Sequence, residues 1–403
     1  MLLVQRPHCR TSMHISATIV RRINNKFLPL QSNGIFSVTP KNKLLVHQVR
    51  AQSTNLDMPL KEKKPVAIPR PSSSVILVSP ENQVLLLRRV KTSSSFASAY
   101  VFPGGNVSSF HDGDLPPPED HSRHQDSEAY RLAAIRETFE ESGIILAKNN
   151  GFGRLIEVND AEREDGRQLV HSNKVDFRKW LAGKGGRADT DNLIPFTRWV
   201  TPTNLAKRFT TQMYVYLLPL SHESSSSLKG SGSTDAEGSE VVIPAPTHDG
   251  GKEHTAARFL PPSKWLELAQ SGRIIMFPPQ FFLLHQLSPF LSPHNPKNAG
   301  APIPSYEDRQ QQRKAMLEFL KGGTPPWAEK VISPIALPPA HGGKREDGRQ
   351  ILGLDKPGPE LKGIREGEKD HVVLVEFKKE GPRRVEVRKR SEIVAEGRAK
   401  GKL

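Results

Sequence analysis

Two runs of aliphatic and β-branched residues, Ser73 to Val78 and Val84 to Val90, flank Ser79-Pro80-Glu81-Asn82-Gln83, whose turn-forming residues predict a hairpin. A third run, Ala99 to Phe102, stops at Pro103-Gly104-Gly105. The segment that follows, 106–125, holds too many Pro, Asp, His and Ser residues for a regular element and reads as a flexible insertion. The apolar period then changes from two to about 3.6. Leu132, Ile135 and Phe139 share one side of a helix that Asp126 or Ser127 is placed to cap, that runs to Ser142, and that Gly143 stops. Beyond Leu146 the pattern loosens until Phe196 to Val200, and Met213 to Leu218 reads as a clear strand.

A low-complexity stretch rich in Ser and Gly makes 221–251 a second flexible insertion. Another strand, Ala256 to Leu260, leads into helices predicted over Ser263 to Gln270, Pro279 to Leu287 (stopped before Pro289) and Tyr306 to Lys321. After a linker rich in Pro and Gly, a closing hairpin is expected from His371 to Phe377 and Arg384 to Val387, turning at Glu380-Gly381-Pro382. There is no internal repeat.

The helix over 126–142 carries the candidate chemistry. Glu140 and Glu141 lie three and four positions after Glu137, so at about 100° per residue the three carboxylates share one face, opposite the apolar stripe. Small Ala133 and Ala134 leave room beside them. Crowded like charges are unfavourable unless a cation neutralises them, and hard oxygen donors suit Mg2+ or Mn2+. Alone, such a triplet is equally what a solvated helix face looks like.

The surrounding residues change that balance. Glu128, seven intervening residues, then Arg136-Glu137-Thr138-Phe139-Glu140-Glu141-Ser142-Gly143-Ile144 resemble the box of the Nudix hydrolase family, G-x5-E-x7-R-E-U-x-E-E-x-G-U with U apolar. Thr138 stands where the box has an apolar residue, and the box glycine, placed at Gly105, precedes Glu128 by 22 residues instead of five. The resemblance implies an α/β (α+β) fold, an α/β/α sandwich with a mixed sheet, here with added C-terminal helices and a hairpin. It also implies roles. Glu140 and Glu141 become metal ligands, Glu137 a ligand or the base for water, the Gly104 carbonyl a ligand, and Arg136 the partner of a glutamate through a bidentate pair. Glu128, at the helix start and on a different face, takes a structural or supporting role. Glu253, ahead of the Ala256 strand, is a possible accessory acid and equally an exposed loop acid.

The stretch LLLRRVKTSSSFASAYVFPGG, the insertion, PFTRWVTP with KRFTTQMYVYLLP, and WLELAQSGRIIMFPPQ are similar to the branch of mitochondrial and peroxisomal acyl-coenzyme A diphosphatases, over about Ser73 to Leu291. That implies attack of water on a diphosphate of coenzyme A or its esters, giving a phosphopantetheine derivative and adenosine 3',5'-bisphosphate. Alternative substrates are nucleotide sugars and dinucleotides, since the box is common to them all. Arg88 and Arg89 are possible phosphate contacts, with Arg198 and Arg208 as similar cases; each also reads as a solvated or structural arginine. His111, His121 and His124 suggest loop residues more than a zinc site, lacking cysteine and a rigid frame.

Charge and cysteine usage set the remaining bounds. The chain has 403 residues and a formal net charge of +15. Eight basic residues and no acid fall in 1–55 (Arg6, Arg10, Arg21, Arg22, Lys26, Lys41, Lys43 and Arg50), a mitochondrial targeting leader in appearance, whose removal would leave about +7. The one cysteine, Cys9, lies in that leader, so a processed chain has no thiol chemistry. Gly401-Lys402-Leu403 is a weak match to a peroxisomal signal. The domains expected are the leader, a catalytic domain over 66–292 and an extension over 293–403. No apolar run reaches the roughly 18 residues of a membrane span. A third reading is a non-catalytic RNA-binding protein. The tail from His341 onward argues against it, with 17 basic against 12 acidic residues and Phe377 as its one aromatic ring besides histidine. The expected partner is a small diphosphate substrate.

Overall fold

The computed structural model describes residues 65–91, 97–151, 153–220, 247, 254–291, 304–339 and 345–400. The leader with Cys9, residues 221–246, Glu253 and Gly401-Lys402-Leu403 lie outside the described residues.

The hairpin predicted at the start is present as β1 (Arg70–Val78) and β2 (Val84–Arg89), followed by the short strands β3 (Tyr100–Val101) and β4 (Gly104–Asn106). The helix that carries the acids, α1, spans Glu128–Ser142. Next come β5 (Ala147–Asn149), α2 (Asp160–His171), α3 (Phe177–Gly183) and β6 (Gly186–Ala188). Strands β7 (Ile194–Val200), β8 (Phe209–Leu217) and β9 (His254–Leu260) complete most of the main sheet. Helices α4 (Pro262–Gln270), α5 (Pro278–Leu291) and α6 (Tyr306–Lys321) follow. The chain ends in β10 (Val331–Ile332), β11 (Ile335–Leu337), β12 (Gln350–Leu354), β13 (Glu368–Lys378), β14 (Gly381–Lys389) and α7 (Arg390–Lys400).

The main sheet is mixed, as expected. Its order is β10-β7-β8-β1-β2-β3, with β4 also on β1 and β9 also on β2. β1 runs parallel to β8 and antiparallel to β2 and β4. A strand covered on both faces needs apolar residues at consecutive positions rather than alternate ones, which accounts for the run Val75-Ile76-Leu77-Val78. Val75 and Leu77 pack with Leu132, Ile135 and Phe139 of α1, while Ile76 and Val78 pack on the other side with Phe281, Leu284 and Leu287 of α5. The sheet is therefore sandwiched, and α1 is pinned along one face by the stripe read from its sequence.

Three segments depart from the expectations. Residues 147–188, where no pattern was legible, hold a two-stranded ribbon and two helices. The segment 106–125, expected as a flexible insertion, packs onto the domain: His111, Asp112 and His124 are buried. Its polar residues find partners inside the fold, so composition alone did not decide its order. Third, α5 continues through Pro289 to Leu291: the proline removes one backbone hydrogen bond near the end of the helix, and burial of Leu291 in the core offsets that loss. The closing hairpin is one half of a four-stranded antiparallel sheet, β11-β12-β13-β14, whose Leu352, Leu354, Val373, Val375 and Val385 join the core beneath α4 and α5. Among the described residues no helix is long and apolar enough to cross a membrane.

α2 and α3 are held against α1 by Trp180, which stacks on Phe139 with ring centroids 4.7 Å apart. Gly166 of α2 permits this contact, since a Cβ there would lie 2.3 Å from the Trp180 ring. Gly166→Ala is expected to lower stability by about 1–3 kcal/mol, the usual cost of overpacking, read as a lower midpoint in urea at unchanged m-value. An unchanged midpoint would mean that α2 docks independently of Trp180.

Candidate active site

α1 is built to hold charge on its inner edge. Gly143 ends it in the left-handed conformation, φ 75°, and returns its amide to the Phe139 carbonyl. Within it, Thr138 turns its hydroxyl onto the Ala134 carbonyl, so the departure from an apolar residue leaves no unsatisfied buried group. The acids on this helix are not a solvated face: Arg136, Glu140 and Glu141 are only 4, 8 and 5% exposed. Glu137 is the most open of the four, with its side chain 17% exposed.

The turn Pro103-Gly104-Gly105 is brought to these carboxylates by pairing β4 with β1, Gly104 opposite Ser74 and Gly105 opposite Ser73. Gly104 has φ 154°, and a Cβ on it would meet the Ser73 carbonyl at 2.3 Å. Its N–H, rather than the carbonyl expected to act, is tied to the site, donating to Glu141 Oε2 at 2.8 Å. Gly105 is the closer neighbour of Glu137: a Cβ there would lie 2.4 to 2.6 Å from that carboxylate's carbon and oxygens. The two glycines thus form a backbone wall that a carboxylate can touch.

Each acid has its own surroundings. Glu140 accepts Arg136 Nη1 on Oε1 at 2.8 Å and meets His171 Nδ1 with Oε2 at 3.0 Å, while Arg167 donates twice to its main-chain carbonyl. Glu141 Oε1 lies 3.7 Å from Nδ1 of the buried His254. Glu137 Oε1 accepts the same Arg136 Nη1 at 2.8 Å. Burial pushes the Glu137 carboxyl up to about 7, against the pull of Arg136 and helped by the neighbouring Glu140.

Arg136 makes a bidentate pair, but not with the glutamate expected. Its fork, Nε and Nη2, is filled by Asp112 at 3.0 and 2.9 Å, and Glu137 and Glu140 share Nη1. Glu128 cannot compete: it is exposed in the first turn of α1, far along the helix from Arg136. By strand alternation Arg89 shares the α1 face of the sheet with Leu85 and Leu87, and its backbone lies opposite His254. Arg88 is exposed and points to the other face. Arg208 is consumed by a fork with Glu360 and by the Ala67 and Thr201 carbonyls. Arg198 is buried over the Tyr130 ring with Nη1 on Thr210. Neither faces the carboxylates. His111, His121 and His124 bond separately to Asn173, the Glu360 carbonyl and Thr210, which is not a metal cluster. His171, Arg167, His254 and Asp112 were not singled out as site residues from the sequence; all four reach the site from outside the box helix.

Hard oxygen donors and the cradle beside Gly105 fit a small divalent cation in chemistry. Among the described residues no three His, Cys, Asp or Glu side chains converge on one point as ligands. The hydrogen bonds above explain the arrangement, since Arg136 and His171 occupy both oxygens of Glu140.

Residues 68–218 match the NUDIX domain. "Putative nudix hydrolase 7" of Caenorhabditis elegans is 26% identical over 220 residues, 54% of this chain and 60% of that protein. Acyl-coenzyme A diphosphatase NUDT19 of Xenopus laevis is 27% identical over 251 residues, covering 52% of this chain and 60% of that protein. The chain thus spans about 60% of the length of these curated relatives. A NUDIX hydrolase from Alicyclobacillus acidocaldarius superposes with a TM-score of 0.40 and 21% identity, over 54% of this chain and 90% of its own. The matched segment contains strands β1 to β4, β7 and β8 of the sheet, the Gly104-Gly105 turn and all three inner acids of α1, so residues 68–218 are similar to a NUDIX domain and carry the candidate site.

Proposed function

We propose that the protein is a metal-dependent hydrolase that cleaves a diphosphate bond, with coenzyme A or an acyl-coenzyme A as its substrate. The observation that carries the reaction is the enclosure of Glu137, Glu140 and Glu141 beside the Gly104-Gly105 backbone. The substrate rests on the similarity to the diphosphatase of Xenopus laevis, 27% identical over 52% of this chain.

Glu137, Glu140 and Glu141 would hold Mg2+ or Mn2+, which supplies charge neutralisation at the phosphates and a more acidic water. The chain's own part is positional. Gly104 fixes Glu141 through its amide, and Arg136 and His171 fix Glu140. Glu137, whose carboxyl is pushed by burial above the usual carboxylate range, would serve either as a further ligand or as the base that takes the proton of the attacking water. The water oxygen bonds to one phosphorus, the bridging P–O bond breaks, and two phosphate monoesters leave. From coenzyme A these are phosphopantetheine and adenosine 3',5'-bisphosphate. Arg89 is the arginine placed on the correct face to meet a phosphate.

The test is a panel of coenzyme A, its esters, nucleotide sugars and dinucleotides, with products identified by mass, with added Mg2+ or Mn2+ and with chelator. Coenzyme A species are expected to turn over and chelator to stop the reaction. Turnover of nucleotide sugars with none of coenzyme A would overturn the substrate. The RNA-binding alternative finds no support in the tail, four of whose arginines are paired with acids: Arg345 and Arg349 with Asp347, Arg349 with Glu386, Arg388 with Glu392 and Glu396, and Arg390 with Asp355. We place the protein in mitochondria on the strength of its basic leader, with peroxisomes as the alternative; imaging of the tagged full chain decides between them.

A further inference from the structure

An arginine beside metal-binding carboxylates is in conflict with the metal, because both are cations seeking the same oxygens. Arg136 presents five N–H groups and the structure accounts for each. Two go to Glu137 and Glu140, one to the Asn106 carbonyl, and two to Asp112. The Asp112 side chain is fully buried and its Oδ2 also accepts the Ser108 amide at 2.8 Å. Its loop is anchored by the adjacent His111, which accepts the Phe177 amide at Nδ1 and reaches Asn173 with Nε2.

We infer that Asp112 is a positioning residue that balances the charge of Arg136 and holds its fork away from the acids, so that the guanidinium competes less with a divalent cation for the oxygens of Glu137, Glu140 and Glu141. This rests on the proposal that those three glutamates bind the metal. With Asp112 present, Arg136 orients two of the ligands through one nitrogen while its charge is balanced elsewhere. Without it, the full guanidinium charge falls on Glu137 and Glu140 in a buried setting where such charges are weakly screened. The segment that splits the box thereby supplies a part of the site.

The experiment is direct titration of the full chain with Mn2+, following the free ion by electron paramagnetic resonance. Asp112→Asn and Asp112→Ser are expected to raise the Mn2+ Kd about tenfold, in the range found for residues that support metal ligands, and activity is expected to recover towards the unmodified level at saturating metal. His111→Ala loosens the same loop but keeps the carboxylate, and is expected to bind Mn2+ like the unmodified protein. Unchanged affinity in the Asp112 variants, or an equal loss in His111→Ala, would overturn the role of Asp112. Absence of Mn2+ binding by the unmodified protein would instead remove the metal proposal and this inference with it.

Discussion

Glu140→Gln and Glu141→Gln are each expected to abolish magnesium-dependent hydrolysis, lowering kcat by about 10^3-fold or more, with the thermal midpoint and circular dichroism little changed. The loss follows from removing a charged ligand, since a bound metal contributes several kcal/mol to stabilising charge in the transition state. The fold survives because glutamine keeps the shape and one acceptor. The amide oxygen at 140 can still receive Arg136 Nη1, and at 141 it can still receive the Gly104 amide. Arg136 also retains Asp112, so no buried guanidinium is abandoned. Steady-state kinetics over a range of Mg2+ measures the effect. Full activity in either variant would place the metal at other residues.

That α1 could be read so completely, while the rest of the site could not, has a physical cause. Its apolar stripe, its glycine stop and its three acids all follow from positions a few residues apart, where helical geometry relates sequence to space. The Pro103-Gly104-Gly105 turn was legible for the same reason. Asp112, His171, Arg167 and His254 reach the acids through tertiary contacts, which no local period encodes. Helix α2 was missed because it is short and mostly polar, with Val170 its one buried large aliphatic residue. A signal was nevertheless present: Asn159 and Asp176 cap α2 and α3 through their side chains. Helical geometry set Glu128 apart from the other acids, at the helix start and on a different face, and the fold leaves it exposed there; that the arginine's fork goes to Asp112 was not legible. Asp112 follows Gly105 by six intervening residues, close to the five of the box, a hint that the composition of its loop obscured.

Gly105→Ala separates the site from the fold. The added methyl would sit 2.4 Å from Glu137 Cδ and 2.5 and 2.6 Å from its oxygens, so the carboxylate must move by the order of an ångström. What it meets is the end of a flexible side chain, not backbone, so the strand can stay paired with β1 and the cost to stability is expected to remain below about 1 kcal/mol. Catalysis tolerates less. A displacement of about 1 Å in a catalytic group can cost about 10^2-fold, and a fall of that size in kcat is expected, largely independent of substrate concentration. Gly104→Ala makes the contrast. There the Cβ would strike the Ser73 carbonyl of β1 at 2.3 Å, from a φ of 154° that L residues rarely adopt, and the loss should appear in the unfolding midpoint. Wild-type kcat in Gly105→Ala would show that Glu137 does its work from another position, and the role given to its carboxylate would have to be abandoned.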